Sequence, residues 1–260
     1  MRFASLGSGS KGNGTLIDDG TTCILVDLGF TLKETERRLR RLNKSPADAH
    51  AILVTHEHAD HIHGVAPFAR KYKQPVYLTP GTFNDKKMGA VPNLHKINCH
   101  QPFRIGTLGI EPVPVPHDAR EPCQFVISSN GLKIGVLTDL GHISAYVERR
   151  YALCHALLLE CNHDVEMLAN GPYPYQLKQR VNGNHGHLNN EQAAGLLQKM
   201  ELDALQHLVI SHLSEKNNEP GLAAQAVSQV LGDWQGTLHI ANQELGFDWI
   251  ELEPILTVAN

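Results

Sequence analysis

The sequence predicts an α/β fold in which two β-sheets pack face to face and are flanked by helices. Three observations carry this expectation. Strand-like runs fall into two groups, one in each half of the 260-residue chain, with helical segments between them. The run Ala51–Thr55 and the run Ala156–Glu160 read as short buried strands. Metal-binding side chains follow directly after such runs, where α/β folds commonly build sites. No linker, low-complexity tract or short-period repeat divides the chain, so residues 1–260 are expected to form a single domain.

The elements follow in order. Arg2–Leu6 reads as a first strand, and residues 7–14 as a glycine-rich polar loop. Thr15–Ile17 and Cys23–Asp27 form an expected hairpin around Asp18-Asp19-Gly20. Leu32–Leu42 is a helix with Leu32, Leu39 and Leu42 on one side and Arg37, Arg38, Arg40 and Arg41 around the rest. After the strand Ala51–Thr55, Ile62–Lys71 reads as one helix and Val76–Thr79 as a strand. Ile105–Val115 and Gln124–Ser128 are strand-like, and Asn130-Gly131 is a hairpin turn into Leu132–Leu137. Asn190–Met200 is a helix capped by Asn189. Leu208–Ser211 is a strand and Glu219–Leu231 a helix.

The segment His56-Glu57-His58-Ala59-Asp60-His61 dominates the chemistry. Three histidines and an aspartate within six residues are more than one tetrahedral ion needs, and the spacing suggests two ions side by side. Three further candidates each end a strand-like run: His117, Asp139 and His212. Imidazole and carboxylate together suit zinc, manganese or iron, so two divalent ions per chain are the expected cofactors.

Composition narrows the function classes. Apolar content of 42%, charge of 19% and a net charge of −4 describe an ordinary globular protein without a global basic field. Nucleic-acid contact, if made, is therefore local. No apolar run approaches a membrane span, and the N-terminus has no signal-peptide core, so no membrane partner is expected. The five scattered cysteines never form Cys-x-x-Cys and fit reduced thiols in a cytoplasm.

The pattern His-x-His-x-Asp-His, with a downstream His, an Asp after a strand and a final strand-end His, resembles the metallo-β-lactamase superfamily over about residues 2–252. The resemblance implies a four-layer αββα sandwich of two mixed sheets. It also implies one ion on His56, His58 and His117, a second on Asp60, His61 and His212, and Asp139 bridging them through its carboxylate. Glu57 is not a ligand in that pattern. His58, where diiron flavoprotein relatives would carry Glu, argues for hydrolysis. Leu158–Asp164, Gly186–Asn190 and Ser211–Asn218 look like motifs of the phosphodiesterase branch, which includes tRNase Z and a phosphonate-pathway cyclic phosphodiesterase. Those motifs, the opening Ser8–Asn13 and the His117-Asp118-Ala119 segment are most similar to the WalJ/YycJ-like group, whose members resemble DNA exonucleases. Cys161 and Asn189-Asn190 depart modestly from that group.

Phosphodiester hydrolysis needs an activated water, neutralised phosphoryl oxygens and a proton for the leaving oxygen. The superfamily pattern implies a hydroxide between the two ions as nucleophile. Asp60, His187 and Glu160 are the catalytic candidates, with His187 as general acid and Glu160 orienting it. His163 and Asp164 fit loop capping as well as catalysis, and His185 reads as a solvent-facing neighbour. Ser8, Ser10, Asn13, Asn217 and Asn218 are candidate phosphate contacts. The arginines of 37–41 are candidate backbone contacts, and Tyr173 and Tyr175 candidate stacking rings. The expected function is a DNA exonuclease. RNA or small cyclic phosphodiester cleavage, thioester hydrolysis of the glyoxalase II type, and a metal-bound regulatory role without turnover are the alternatives.

Overall fold

The computed structural model describes residues 1–84 and 88–254. Its strands are β1 (Arg2–Gly7), β2 (Gly14–Asp18), β3 (Cys23–Val26), β4 (Ala51–Leu53), β5 (Val76–Leu78), β6 (Leu94–Lys96) and β7 (Phe103–Ile105). They continue with β8 (Leu108–Pro114), β9 (Cys123–Ser129), β10 (Leu132–Leu137), β11 (Ala156–Glu160), β12 (His207–Ser211), β13 (Thr237–Ile240) and β14 (Phe247–Glu251). Among the described residues they form two seven-stranded sheets, ordered β14-β1-β2-β3-β4-β5-β6 and β13-β12-β11-β10-β9-β8-β7. Both are mixed: β3, β4, β5 and β6 run parallel in the first, and β10 to β13 in the second.

Side-chain alternation along the strands builds the four layers. Phe3, Ile24 and Val26 from the first sheet meet Ile110, Phe125 and Leu158 from the second in a shared central core. The opposite faces carry Leu6, Leu25 and Ile52, which pack on Leu39, Val65 and Phe68 of the helices Leu32–Arg41 and Val65–Tyr72. They also carry Leu157, Leu159 and Ile210, which pack on Leu197 and Val227 of the helices Asn190–Leu197 and Pro220–Leu231. A strand with both faces covered has no polar side, which is why Ala156–Glu160 reads as a continuous apolar run.

This architecture positions the site. Parallel pairing sends the C-terminal ends of β3 and β4 to one rim, and those of β10, β11 and β12 to another. β8 is antiparallel to β9, and β9 to β10, so β8 ends on the same side as β10. Asp27 and His212 directly follow β3 and β12, Asp139 comes two residues after β10, and each has φ between 53° and 60°. That left-handed conformation costs non-glycine residues about 1–2 kcal/mol and concentrates at functional sites.

Two expected elements differ. Ile62–Lys71 is not one helix: a short turn, Ala59–Ile62, precedes Val65–Tyr72. The break is at Gly64, whose N–H donates to Leu28 O at 2.7 Å and whose added Cβ would lie 2.1 Å from Phe30 O. Ile105–Val115 is not one strand either; Gly106, at φ 54°, turns β7 into β8. The expected Asn130-Gly131 turn is present, with φ of 50° and 81°. Strands β6, β13 and β14 escaped sequence reading. The last two are half-exposed edges with little apolar periodicity. Helices Ala145–Tyr151, Val165–Asn170 and Tyr175–Val181 are too short for a clear 3.6-residue pattern.

Gly29 locks the first rim to the metal-binding segment: a Cβ there would meet Asp60 O at 1.8 Å. Gly29→Ala should therefore destabilise the protein by about 1–3 kcal/mol or more in urea titration. It should also lower metal content, because the backbone beneath Asp60 must move.

Candidate metal centre and active-site cavity

The predicted ligands, scattered over residues 56–212, come together. Ring and carboxylate atoms of His56, His58 and His117 lie within 4.8 Å of one another, as do those of Asp60, His61 and His212. Asp139 joins His56 and His61 in one such group, and His187, His212 and Glu160 in another. Asp139 Oδ2 is 3.1 Å from His61 Nε2, and its Oδ1 is 3.4 Å from His212 Nε2. It therefore sits between the two sets. Glu57 is turned away and accepts the Arg120 N–H at 2.9 Å.

The donor set fits divalent cations. Among the described residues, His56 Nε2, His212 Nε2 and Asp139 Oδ2 are buried without a hydrogen-bond partner. Buried polar atoms are rarely left so, because each costs free energy of about 1–3 kcal/mol. His117 Nε2 faces His58 Nδ1 at 3.3 Å, two nitrogens directed at the same point.

Outer contacts aim the rings. His61 Nδ1–H donates to Asp27 Oδ2 at 2.8 Å, and Asp27 is itself held by the N–H and hydroxyl of Thr55. His56 Nδ1 meets Thr55 Oγ1 at 3.0 Å. His117 Nδ1–H donates to Gly186 O at 2.9 Å. His212 Nδ1 lies 3.3 Å from Glu160 Oε1. Each contact commits Nδ1 and leaves Nε2 for the centre, the outer-shell arrangement of ligand histidines. Asp27 and Thr55 were not singled out in the sequence. Asp27 ends a buried apolar strand, the same criterion that found Asp139, and that signal was available.

Electrostatics follow the clustering. Burial pushes the His56 and His117 pKa down. For His212, burial is outweighed by Asp139, Asp60 and Glu160, which raise it to about 10. For His61, Asp139, Asp27 and Asp60 likewise outweigh burial and raise it. Asp139 and Asp60 are held well below the usual carboxylate range, against their burial, by facing histidines.

Glu160 is a buried hub. Its Oε1 accepts His187 Nδ1–H at 2.7 Å, and its Oε2 accepts the N–H groups of Leu140 and Leu188 at 3.1 Å each. Burial opposes ionisation, but His187 holds the carboxyl down at about 2. In return the Glu160 carboxylate raises the His187 pKa against burial. His187 keeps its second ring nitrogen for a cavity of about 370 Å³, which is also lined by Asp60, Asp139, His212, Tyr173 and Arg180.

Other candidates are placed differently. Ser10 lines the cavity. Ser8, Asn13, Asn217 and Asn218 are not among the residues that line it. Ser8 Oγ accepts the His212 N–H at 2.9 Å. Asn13 clasps Gly9, donates to Asp60 O and sets its amide nitrogen 3.0 Å from His61 Nε2. Asn217 is fully buried and bonds Ser214, and Asn218 bonds Cys161 O and Asn190. His163 is buried and Asp164 caps the helix Val165–Asn170, while His185 is exposed. The arginine run is largely committed internally. Arg37 is held by Glu34, Arg38 is buried over Phe30 and bonded to Leu6 O, and Arg41 reaches Ser5 O and Asp248.

A family model described as a beta-lactamase superfamily domain matches residues 22–213. The chain belongs to the metallo-β-lactamase superfamily. It is 37% identical to the exodeoxyribonuclease YycJ of Bacillus anthracis over 235 residues, 89% of each chain. It is 35% identical to the exodeoxyribonuclease WalJ of Streptococcus pneumoniae over 229 residues, 86% of this chain and 85% of that one. In fold it is similar to YhfI of Bacillus subtilis (TM-score 0.73, 17% identity, 96% and 99% covered). It is also similar to zinc-bound PqqB of Methylobacterium extorquens (TM-score 0.70, 17% identity, 97% and 100% covered). No helix among the described residues is long and apolar enough to cross a membrane.

Asp27→Asn should weaken metal binding about 10- to 100-fold in competition with a chelator while leaving the fold intact, since it removes a carboxylate that orients His61. Unchanged affinity would reduce Asp27 to a packing role.

Proposed function

We propose that this protein is a DNA exonuclease that hydrolyses phosphodiester bonds at two divalent ions, zinc, manganese or iron. The match to two exodeoxyribonucleases over most of both chains carries the DNA reading. The convergence of seven His and Asp side chains carries the metal reading. In this reading His56, His58 and His117 would hold one ion, and Asp60, His61 and His212 the other, with Asp139 lying between the two sets. Bound there, the ions supply Lewis acidity to phosphoryl oxygens and lower the pKa of water so that hydroxide is available as nucleophile at neutral pH.

The chain's own groups do the rest. Asp60 and Asp139, kept ionised by neighbouring histidines, hold compensating negative charge. His187, fixed through Nδ1 by Glu160, presents Nε2 to the cavity as proton donor for the departing alkoxide. Glu160 touches no solvent and acts through His187. The whole chain works as one cytoplasmic domain in this proposal, since the site draws on residues from Asp27 to His212.

Release of nucleotides from end-labelled duplex DNA by metal-loaded protein tests the reading, with RNA, a cyclic phosphodiester and a thioester as competitors. Turnover of the thioester alone would overturn it. Asp60→Ala and His58→Ala should each leave less than about one-tenth of wild-type turnover, a barrier increase above about 1.4 kcal/mol, with circular dichroism unchanged. His187→Ala should lower turnover on DNA about 10²–10⁴-fold at constant metal content. The loss should shrink on bis-p-nitrophenyl phosphate, whose leaving group needs no proton. Equal losses on both substrates would assign His187 to binding or structure.

A further inference from the structure

One wall of the cavity has no role in the hydrolysis described above. It is built from the helix Tyr175–Val181 and the residues before it. Tyr173, Leu177, Arg180 and Val181 all line the cavity. Leu177 and Val181 are one turn apart on that helix and share a face.

Arg180 is held in an unusual way for a surface arginine. Its Nε donates to Asp118 Oδ2, while neither Nη nitrogen has a hydrogen-bond partner among the described residues. The side chain is 56% exposed. Asp118 is in turn anchored, its N–H donating to His185 O at 2.9 Å. The guanidinium is thus oriented through one edge, and its remaining donors stay open. That geometry suits the paired oxygens of a phosphate.

The same turn fixes Arg180 relative to His187. His187 N–H donates to Val181 O at 2.9 Å, and a Cβ on Gly186 would lie 2.2 Å from both Arg180 O and Val181 O. The backbone beneath Arg180 is thus packed directly against that of His187. Tyr173 is half-buried beside them, with Lys216 Nζ 5.9 Å from its ring centroid. An aromatic ring beside a cation is a sequence-tolerant platform for a nucleobase.

We propose that Arg180 and Tyr173 form the subsite for the terminal nucleotide, with the Arg180 Nη edge on its phosphate and the Tyr173 ring under its base. This rests on the exonuclease reading and deepens it. A cavity of about 370 Å³ accommodates one small ligand and not a length of duplex. A nucleotide must therefore leave the stack to reach His187, and the platform replaces the stacking that it loses.

The test is calorimetric binding to metal-loaded protein of a deoxynucleoside monophosphate, the corresponding deoxyribose phosphate without a base, and the nucleoside without phosphate. Tyr173→Ala should weaken the nucleotide about 10- to 100-fold and leave deoxyribose phosphate binding nearly unchanged, with Tyr173→Phe restoring affinity. Arg180→Ala should weaken the nucleotide about 10- to 100-fold but not the nucleoside, with Arg180→Lys restoring only part. Equal losses on all three ligands, no loss, or no nucleotide binding by wild type would each overturn the subsite. Failure to release nucleotides from duplex ends, with these binding patterns intact, would instead overturn the exonuclease reading and keep the subsite.

Discussion

The site depends on the parallel register of β10, β11 and β12. Ile134, Val136 and Leu137 pair with Ala156, Leu158 and Leu159, and these in turn with His207, Val209 and Ile210. That alignment brings Asp139, Glu160 and His212 level at one rim, although 73 residues separate the first from the last. β3 and β4 do the same for Asp27 and His56 in the facing sheet. A one-residue slip in any of these strands would exchange core and outer faces, so the apolar layers enforce the register that the polar rim needs.

Buried charge is tolerated at this rim because it is mutual. Asp139 and Glu160 are ionised inside the protein, and each faces histidines whose affinity for a proton or a cation they raise. Asp27 and Glu160 bracket the centre from opposite sheets, one behind His61 and the other behind His187 and His212. Three left-handed backbone positions, Asp27, Asp139 and His212, mark where the strands bend to make this possible.

The sandwich and the clustering of His and Asp side chains were legible in the sequence because each leaves a local signal. Continuous apolar runs reported doubly covered strands, and His56–His61 is dense enough to declare itself. Glu160 was read correctly as the partner of His187, since it ends a buried run. Its contact with His212 was not read, because only the assembled rim shows it. Edge strands β13 and β14 lacked periodicity. Ser, Asn and Gly in loops suit internal hydrogen bonds as well as ligands, and Ser8, Asn13, Asn217 and Asn218 make such internal bonds. In the arginine run Arg38 lies over Phe30, held by the Leu6 carbonyl and the Glu34 carboxylate.

The claim on which everything else rests is that one chain gathers two cations at this rim. Elemental analysis of fully loaded, active protein, read against accurate protein concentration, tests it most directly. Two divalent ions per chain is the predicted result. A saturated, fully active enzyme holding a single ion per chain would contradict the account.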